Sequence, residues 1–441
     1  MSNFEPQQSA SARAGLRILW VKAGPLLPAN TGGRIRTWQM LRALHREHDV
    51  TFLALCEPRE EQAQQAGPLD YASRVEMLPW EGAPRRSLLY LAGVLANMVL
   101  SSLPFSLWRY RSRVMARRLL EADRGGKYDL IVCDFLTPAV NFAARGFKTR
   151  TVLFQHNIEA IILERMAATA RNPVARRLLR TQHRRMERWE ERFSRRFHGV
   201  ITVSPDDSKV AKERYGLTNV LGEVPTGVDP EYFAASSSPH PAGNEPPTVG
   251  FLGSMDWMPN IDGVAWFLRE VWPGLKQSVP GVRFLVIGRN PPAALRYLAA
   301  DDAAVSFTGT VVDVRPHLAK CHATVVPLLA GGGTRLKILE VMAAGLPVVS
   351  TAVGAEGLPI VADRHLLIAD TAEKFGSQVA TILRDRAMAE RLVESARTEV
   401  VESHTWDRCS QIFLDLCLKT GAAPSSTSPA RHLEAAQSSG P

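Results

Sequence analysis

Three glycines, Gly331, Gly332 and Gly333, stand directly before Thr334, Arg335, Lys337 and Glu340. Glycines let a ligand approach the backbone closely. Thr334 can cap a helix, and the free N–H groups of a helix start carry partial positive charge. This combination suits a phosphate. Arg335 and Lys337 add full positive charge beside it. Glu340 follows Thr334 by six residues, which is roughly 9 Å along a helix axis. A side chain there leans back toward the helix start. A carboxylate so placed can hold ribose hydroxyls while backbone amides hold a diphosphate. A glycine turn leading into a buried helix, with Glu340 merely paired to Lys337, has the same local sequence.

These residues need a strand before them and another behind. Val325 to Leu328 and Pro347 to Ser350 are short apolar runs, and the helix between them stops at Gly345. Strand-helix-strand units of this kind build parallel sheets, whose ligands bind beyond the carboxyl ends of the strands. The same grammar runs through the chain. Leu16 to Val21 is a strand run, followed by a Gly32-Gly33 loop, a helical stretch over Thr37 to His48 and a strand over Asp49 to Leu55. Tyr128 to Cys133, Thr151 to Phe154 and Gly199 to Val203 read as further strands. Gln155-His156-Asn157 follows the second of these, which places His156 at a strand's carboxyl end. Ala234 to Thr248 has the Ser-, Pro- and Ala-rich composition of a linker. A second series then begins at Val249.

The expected organisation is α/β: two Rossmann-like domains facing a cleft. The N-terminal domain spans 16–231, the linker 232–248 and the C-terminal domain 249–402. A last helix at 403–420 is expected to pack back on the first domain. Residues 1–15 and 421–441 read as disordered. A length of 441 residues favours two cores over one. Five cysteines without metal-type spacing, and an N-terminus lacking an apolar signal segment, indicate a reduced cytoplasmic setting.

The net charge of +9 comes largely from the arginine-rich segment Arg165 to Arg196. It suits either a solvated helix face or an anionic membrane surface. Ser87 to Trp108 carries no charge and is bracketed by Arg85, Arg86 and Arg109. Its Asn97, Ser101, Ser102 and Pro104 predict a buried or interfacial helix that ends before Pro104, not a membrane span. No nucleic-acid-binding signature accompanies the positive charge, so nucleic acid is not an expected partner.

The second half resembles the nucleotide-sugar-binding domain of retaining glycosyltransferases of family 4, which have the GT-B fold. The residues that carry the resemblance are Phe251 to Asn260, Val286 to Gly288, Phe307 to Gly309 with Asp313, Val326 to Leu328, Gly331 to Val349 and Gly354 to Gly357, in family order. The first half resembles the acceptor domain through Pro28, Gly32 to Arg34, Arg36 and Gln155 to Glu159. The likeness runs from about 16 to 418 and is closest to bacterial sugar transferases of exopolysaccharide and exosortase (PEP-CTERM) systems.

The resemblance implies roles for individual positions. Catalytic roles fall to His156, Arg335, Lys337 and Glu340. Donor binding falls to Gly33, Gly253, Ser254, Gly288, Gly309, Asp313, Gly331, Gly332, Gly333, Thr334 and Glu340. The acceptor side comprises Arg34, Arg36, Asn157 and Glu159. Glu340 matches the second Glu of the family's paired-Glu motif, and the first is replaced by Gly332. Ser254, Met255 and Asp256 stand where many relatives carry bases. The implied reaction moves a hexose from a UDP- or GDP-sugar, with no metal and no other cofactor, to a lipid-linked or growing polysaccharide acceptor. Retention of configuration and a place on the cytoplasmic membrane face are implied as well. The alternatives are a binding or scaffold subunit of a polysaccharide assembly system, suggested by Gly332, and a nucleotide-sugar 2-epimerase.

Overall fold

The structure is a computed structural model. It describes residues 15–29, 31–57, 70–82, 87–143, 146–170, 172–234, 246–330 and 336–419. Gly331, Gly332, Gly333, Thr334 and Arg335 lie outside the described residues. So do Arg85 and Arg86, the middle of the linker, and nearly all of both terminal segments.

Thirteen described strands form two sheets, each parallel throughout. The first has the order β3-β2-β1-β4-β5-β6-β7. Its centre is β1 (Arg17–Lys22), flanked by β2 (Asp49–Cys56) and β4 (Leu130–Asp134), with β3 (Arg74–Pro79) at one edge. Beyond β4 come β5 (Arg150–Phe154), β6 (Gly199–Thr202) and β7 (Val220–Glu223). The second sheet has the order β10-β9-β8-β11-β12-β13. It is built from β8 (Thr248–Leu252), β9 (Arg283–Ile287), β10 (Val305–Gly309), β11 (Ala323–Val326), β12 (Val348–Ser350) and β13 (Leu367–Ile368). In both sheets the strand order reverses beside the first strand of the series, where a crevice opens at the carboxyl ends.

The central strands are apolar on both faces because helices cover both faces. Ile131 and Leu153 point into one core of the first domain, and Val132 and Phe154 into the other. Seven helices position the site or the surfaces discussed below. They are α1 (Gly32–His45), α2 (Leu88–Leu100), α3 (Glu159–Thr169), α4 (Pro173–Ser194), α5 (Leu336–Ala343), α6 (Arg386–Ser403) and α7 (Trp406–Leu418). Helix α1 starts at Gly32, earlier than the expected Thr37. Helix α2 ends at Leu100, and Ser101 to Pro104 separate it from a short turn, Phe105–Trp108. Among the described residues no helix is long and apolar enough to cross a membrane.

The chain crosses between the domains twice. The first crossing leaves β7 and runs through Val228. The second returns after α6. The two crossings are bonded together: Val228 N donates to His404 O at 2.7 Å, and Val228 pairs with Thr405 in a parallel bridge. Helix α7 then joins the core of the first domain. Its Phe413 ring lies 5.4 Å from Trp20 and 5.1 Å from Phe154, centre to centre.

Candidate active site

On the first domain the site grows from the ends of β1, β4 and β5. Lys22 ends β1, Asp134 ends β4, and His156 follows β5 by two residues. Lys22 Nζ lies 2.7 Å from Asp134 Oδ2, and Thr37 Oγ1 donates to the same oxygen at 2.6 Å. His156 Nε2 lies 2.7 Å from the other oxygen, Oδ1. That contact is not collinear with the ring N–H, so it acts as electrostatic attraction rather than as a well-formed hydrogen bond. Asp134 is fully buried, and Lys22 and His156 nearly so. Burial alone would raise the Asp134 carboxyl, but Lys22 and His156 hold it well below the usual carboxylate range. Burial lowers the Lys22 ammonium against the pull of Asp134. Burial likewise brings His156 down to about 4, again opposed by Asp134. At neutral pH the imidazole is therefore uncharged.

Phe135 sets the shape of this pocket. Its backbone takes φ 69°, which side chains other than glycine rarely adopt. The ring stacks on His156 at 3.8 Å between centres, and Lys22 Nζ sits 4.2 Å from the ring centre. A Cβ at Gly33 would fall 2.6 Å from Phe135 Cζ, so glycine is required where α1 passes the ring. Lys22, Gly33, Arg34, Tyr110, Asp134 and Phe135 line a cavity of about 430 Å³.

A buried glutamate holds the His156 loop from behind. Glu190 of α4 accepts from Gln155 Nε2 at 2.5 Å, Glu159 N at 2.8 Å, Ala160 N at 3.0 Å and Tyr215 Oη at 2.8 Å. It thereby satisfies the free N–H groups at the start of α3. Burial pushes the Glu190 carboxyl up. The three N–H groups can only donate, however, and they favour its ionised form.

The second domain offers a facing set. Helix α5 brings Lys337 to the loop after β8. Lys337 Nζ donates to Asn260 Oδ1 at 2.5 Å, and a Cβ at Gly253 would fall 2.9 Å from both Lys337 Nζ and Asn260 Nδ2. Gly288 touches the same loop, since a Cβ there would fall on Gly253 O. Gly309 pairs with Gly288 and has φ 70°. Glu340 is half-buried one turn along α5 from Lys337. Its dense surroundings push the carboxyl up to about 7, with Lys337 opposing.

Several expected site residues are engaged elsewhere. Arg36, expected on the acceptor side, is turned into the first domain. It is buried, and its Nη2 donates to Val224 O at 2.6 Å and Pro225 O at 2.8 Å, clamping the chain as it leaves β7. Burial lowers it to about 10, so it remains a cation. Asp313 is held by the Arg315 guanidinium, with Nη2 to Oδ2 at 2.7 Å, which keeps its carboxyl below the usual range. Glu159 begins α3, where burial pushes its carboxyl up to about 7. Arg34 lines the Phe135 cavity, and Asn157 lines a small crevice that also includes Arg165 and Glu356. Arg165 Nη2 lies 2.9 Å from Glu356 Oε1 across the two domains.

Other residues were missed from sequence. The loop after β8 has no base of its own, but Arg289 reaches it from the end of β9. Arg289 Nε lies 3.1 Å from Ser254 Oγ and 2.6 Å from Asp256 Oδ2. Asp134, Lys22 and Glu190 lie far along the chain from His156 or the loop they serve, and no local pattern announces them.

The two sets are chemically complementary. Lys337, beside the Gly253 loop, can receive an anion, and Glu340 can accept from hydroxyl groups. His156, beside an anchored carboxylate, can bond a hydroxyl without carrying charge.

Comparisons with known proteins agree with the two-domain fold. Residues 31–232 match the model described as Glycosyltransferase Family 4, and residues 246–385 match the model described as Glycosyl transferases group 1. No curated protein matches the sequence. Among solved structures, a glycosyltransferase from Rickettsia africae ESF-5 is similar at TM-score 0.64 and 13% identity, over 91% of this chain and 98% of that one. Sucrose-phosphate synthase (tll1590) from Thermosynechococcus elongatus is similar at TM-score 0.64 and 18% identity, with the same coverage of 91% and 98%. Anabaena Alr3699/HepE, in complex with UDP and glucose, is similar at TM-score 0.61 and 14% identity, again over 91% and 98%. These likenesses carry the fold, and the two family models carry the activity: the chain is a glycosyltransferase of GT-B fold.

Proposed function

We propose that the protein transfers a hexose, with retention, from a UDP- or GDP-sugar to a lipid-linked or growing polysaccharide acceptor in the synthesis of exopolysaccharide. The observation that carries this reading is the placement of Lys337 against the Gly253 loop, with Glu340 one turn behind it on α5. A nucleoside diphosphate needs a cation and open backbone at its phosphates, and an acceptor for its ribose hydroxyls. Lys337, with Arg335, would counter the charge that builds on the departing phosphate. No resident metal is invoked. The solved Anabaena structure contains UDP and glucose, which supports a nucleotide-sugar donor of this class.

A place on the cytoplasmic membrane face is supported by α2 and α4. Leu88, Leu89, Leu95, Val99 and Leu100 of α2 are exposed. Arg185 of α4 donates to Asn97 O at 3.2 Å and Met98 O at 2.8 Å, which joins the apolar helix to the arginine-rich one. An apolar face rimmed by cations suits an anionic bilayer.

A thermal-shift series with UDP, GDP, dTDP, ADP and their sugars tests the donor reading. At a hundred times Kd the bound nucleotide adds about 2.7 kcal/mol of stability. One nucleotide is expected to stand out, and no shift with any of them would remove the donor site.

A further inference from the structure

A second cavity lies on the first domain, beside the first and larger than it. It measures about 930 Å³ and is lined in part by Tyr90, Phe105, Trp108, Arg109, Arg111 and Arg113. Among the described residues Glu81 is the only carboxylate on its lining. No ion pair engages the guanidinium of Arg109, Arg111 or Arg113 among the described residues. Arg109 instead sits among three rings, 5.4 Å from Trp80, 5.8 Å from Tyr90 and 5.2 Å from Tyr110.

The segment bearing these arginines is fixed. Asn141 Oδ1 accepts from Ser112 N at 2.7 Å, and Asn141 Nδ2 donates to Tyr110 O at 3.0 Å. Trp80 Nε1 donates to Arg109 O at 3.0 Å. A segment held at both edges presents its cations with little ordering left to do on binding. At one end the groove meets α2, whose Leu89 lines it and whose outer leucines are exposed. Tyr110, which stands between Arg109 and Arg111 in the chain, lines the cavity of Lys22, Asp134 and Phe135. An apolar helix, a cationic groove and the cavity beside Phe135 are therefore neighbours on the first domain.

We infer that this groove binds the phosphate or diphosphate of a lipid-linked acceptor. The lipid chain lies along α2, the phosphate meets Arg109, Arg111 and Arg113, and the sugar passes Tyr110 toward Phe135 and His156. Guanidinium groups match phosphate oxygens in pairs of hydrogen bonds. The aromatic walls suit the start of an apolar chain or a sugar face. This inference rests on the proposed transferase reading and supplies its acceptor class.

The test uses the full chain and neutral phosphatidylcholine vesicles carrying either a long-chain prenyl diphosphate or the corresponding prenol. Flotation should show about tenfold tighter binding to the diphosphate vesicles. The exposed double variant Arg111→Glu with Arg113→Glu should lose that preference, and Arg386→Glu with Arg391→Glu on α6 of the second domain should keep it. Equal binding to both vesicles by the unaltered protein, or an undiminished preference in the groove variant, overturns the inference. Full competition by inorganic diphosphate at the concentration of the lipid also overturns it, because the lipid would then contribute nothing. Nucleotide thermal shifts on the same samples separate the two readings. In the unaltered protein, a nucleotide shift without a vesicle preference refutes the groove alone, and a vesicle preference without a nucleotide shift refutes the donor site alone.

Discussion

His156 Nε2 lies 2.7 Å from Asp134 Oδ1, while the other oxygen of that carboxylate is taken by Lys22 and Thr37. One buried carboxylate thus ties together the end of β1, the first half of α1 and the loop after β5. Asp134→Asn leaves Lys22 buried without its counter-charge. A loss of about 3–5 kcal/mol in urea unfolding is expected. Transfer should fall about a hundredfold or more, since the His156 ring loses its anchor. Wild-type stability in this variant would refute the account.

The same pair predicts a pH dependence. The folded His156 has its pKa depressed to about 4 from an ordinary 6.5. A depressed value means stability that is fully present above about 6.5 and lost as pH falls toward about 4. The loss attributable to His156 is on the order of 3 kcal/mol. Urea midpoints measured between neutral pH and the acid range should drop more steeply in the wild type than in His156→Asn. Identical slopes in the two proteins would show that His156 is not buried as described.

Glu340 tests the donor side. Its carboxyl, pushed up to about 7, ionises as pH rises through neutrality. Ribose hydroxyls donate to the ionised form, so nucleotide Kd should tighten from mildly acidic to mildly alkaline pH. Glu340→Gln should flatten that profile and weaken binding about tenfold or more, with little change in fold. A Gln variant with an unchanged profile would move the ribose site elsewhere.

Glu190 supports the His156 loop without facing the cleft. Glu190→Gln keeps the shape but turns an N–H group toward donors. A cost of about 1–3 kcal/mol is expected, with reduced transfer and nucleotide affinity retained. Isothermal nucleotide titration alongside kinetics checks the separation. Equal loss of nucleotide affinity would point to global damage instead.

Gly33→Ala places a methyl group 2.6 Å from Phe135 Cζ. Phe135 is already at positive φ and stacked on His156, so the ring must shift and take the imidazole with it. Transfer should fall about tenfold or more while stability drops by only about 1 kcal/mol. Full activity in this variant would mean that the stack plays no part in the reaction.

What could be read from the sequence was whatever repeats locally. Apolar runs such as Leu16 to Val21 announced the central strands, because both sheet faces are covered. Helix α7 was legible from its apolar stripe. The edge strand β3 was not, since Arg74-Val75-Glu76-Met77 alternates for only four residues before Leu78 and Pro79 break the pattern. The start of α1 was misplaced because Gly32 and Gly33 are poor helix residues, and close packing on Phe135 overrides that preference. Lys22 and Asp134 are 112 residues apart, so no motif window holds both. Arg36 has the residue type of an acceptor contact, and only the fold shows that it is turned inward to Val224 and Pro225.

The paired crossings at Val228 and His404 mean that each half of the polypeptide holds a piece of the other's architecture. A protease cut inside the linker would yield two fragments, yet the C-terminal fragment still inserts Phe413 between Trp20 and Phe154. The fragments should therefore remain together as a complex after cleavage. By the same logic, expressing residues 1–231 alone leaves an apolar trough where α7 belongs, so a soluble first domain requires α7 to be supplied as a separate peptide or fused onto it.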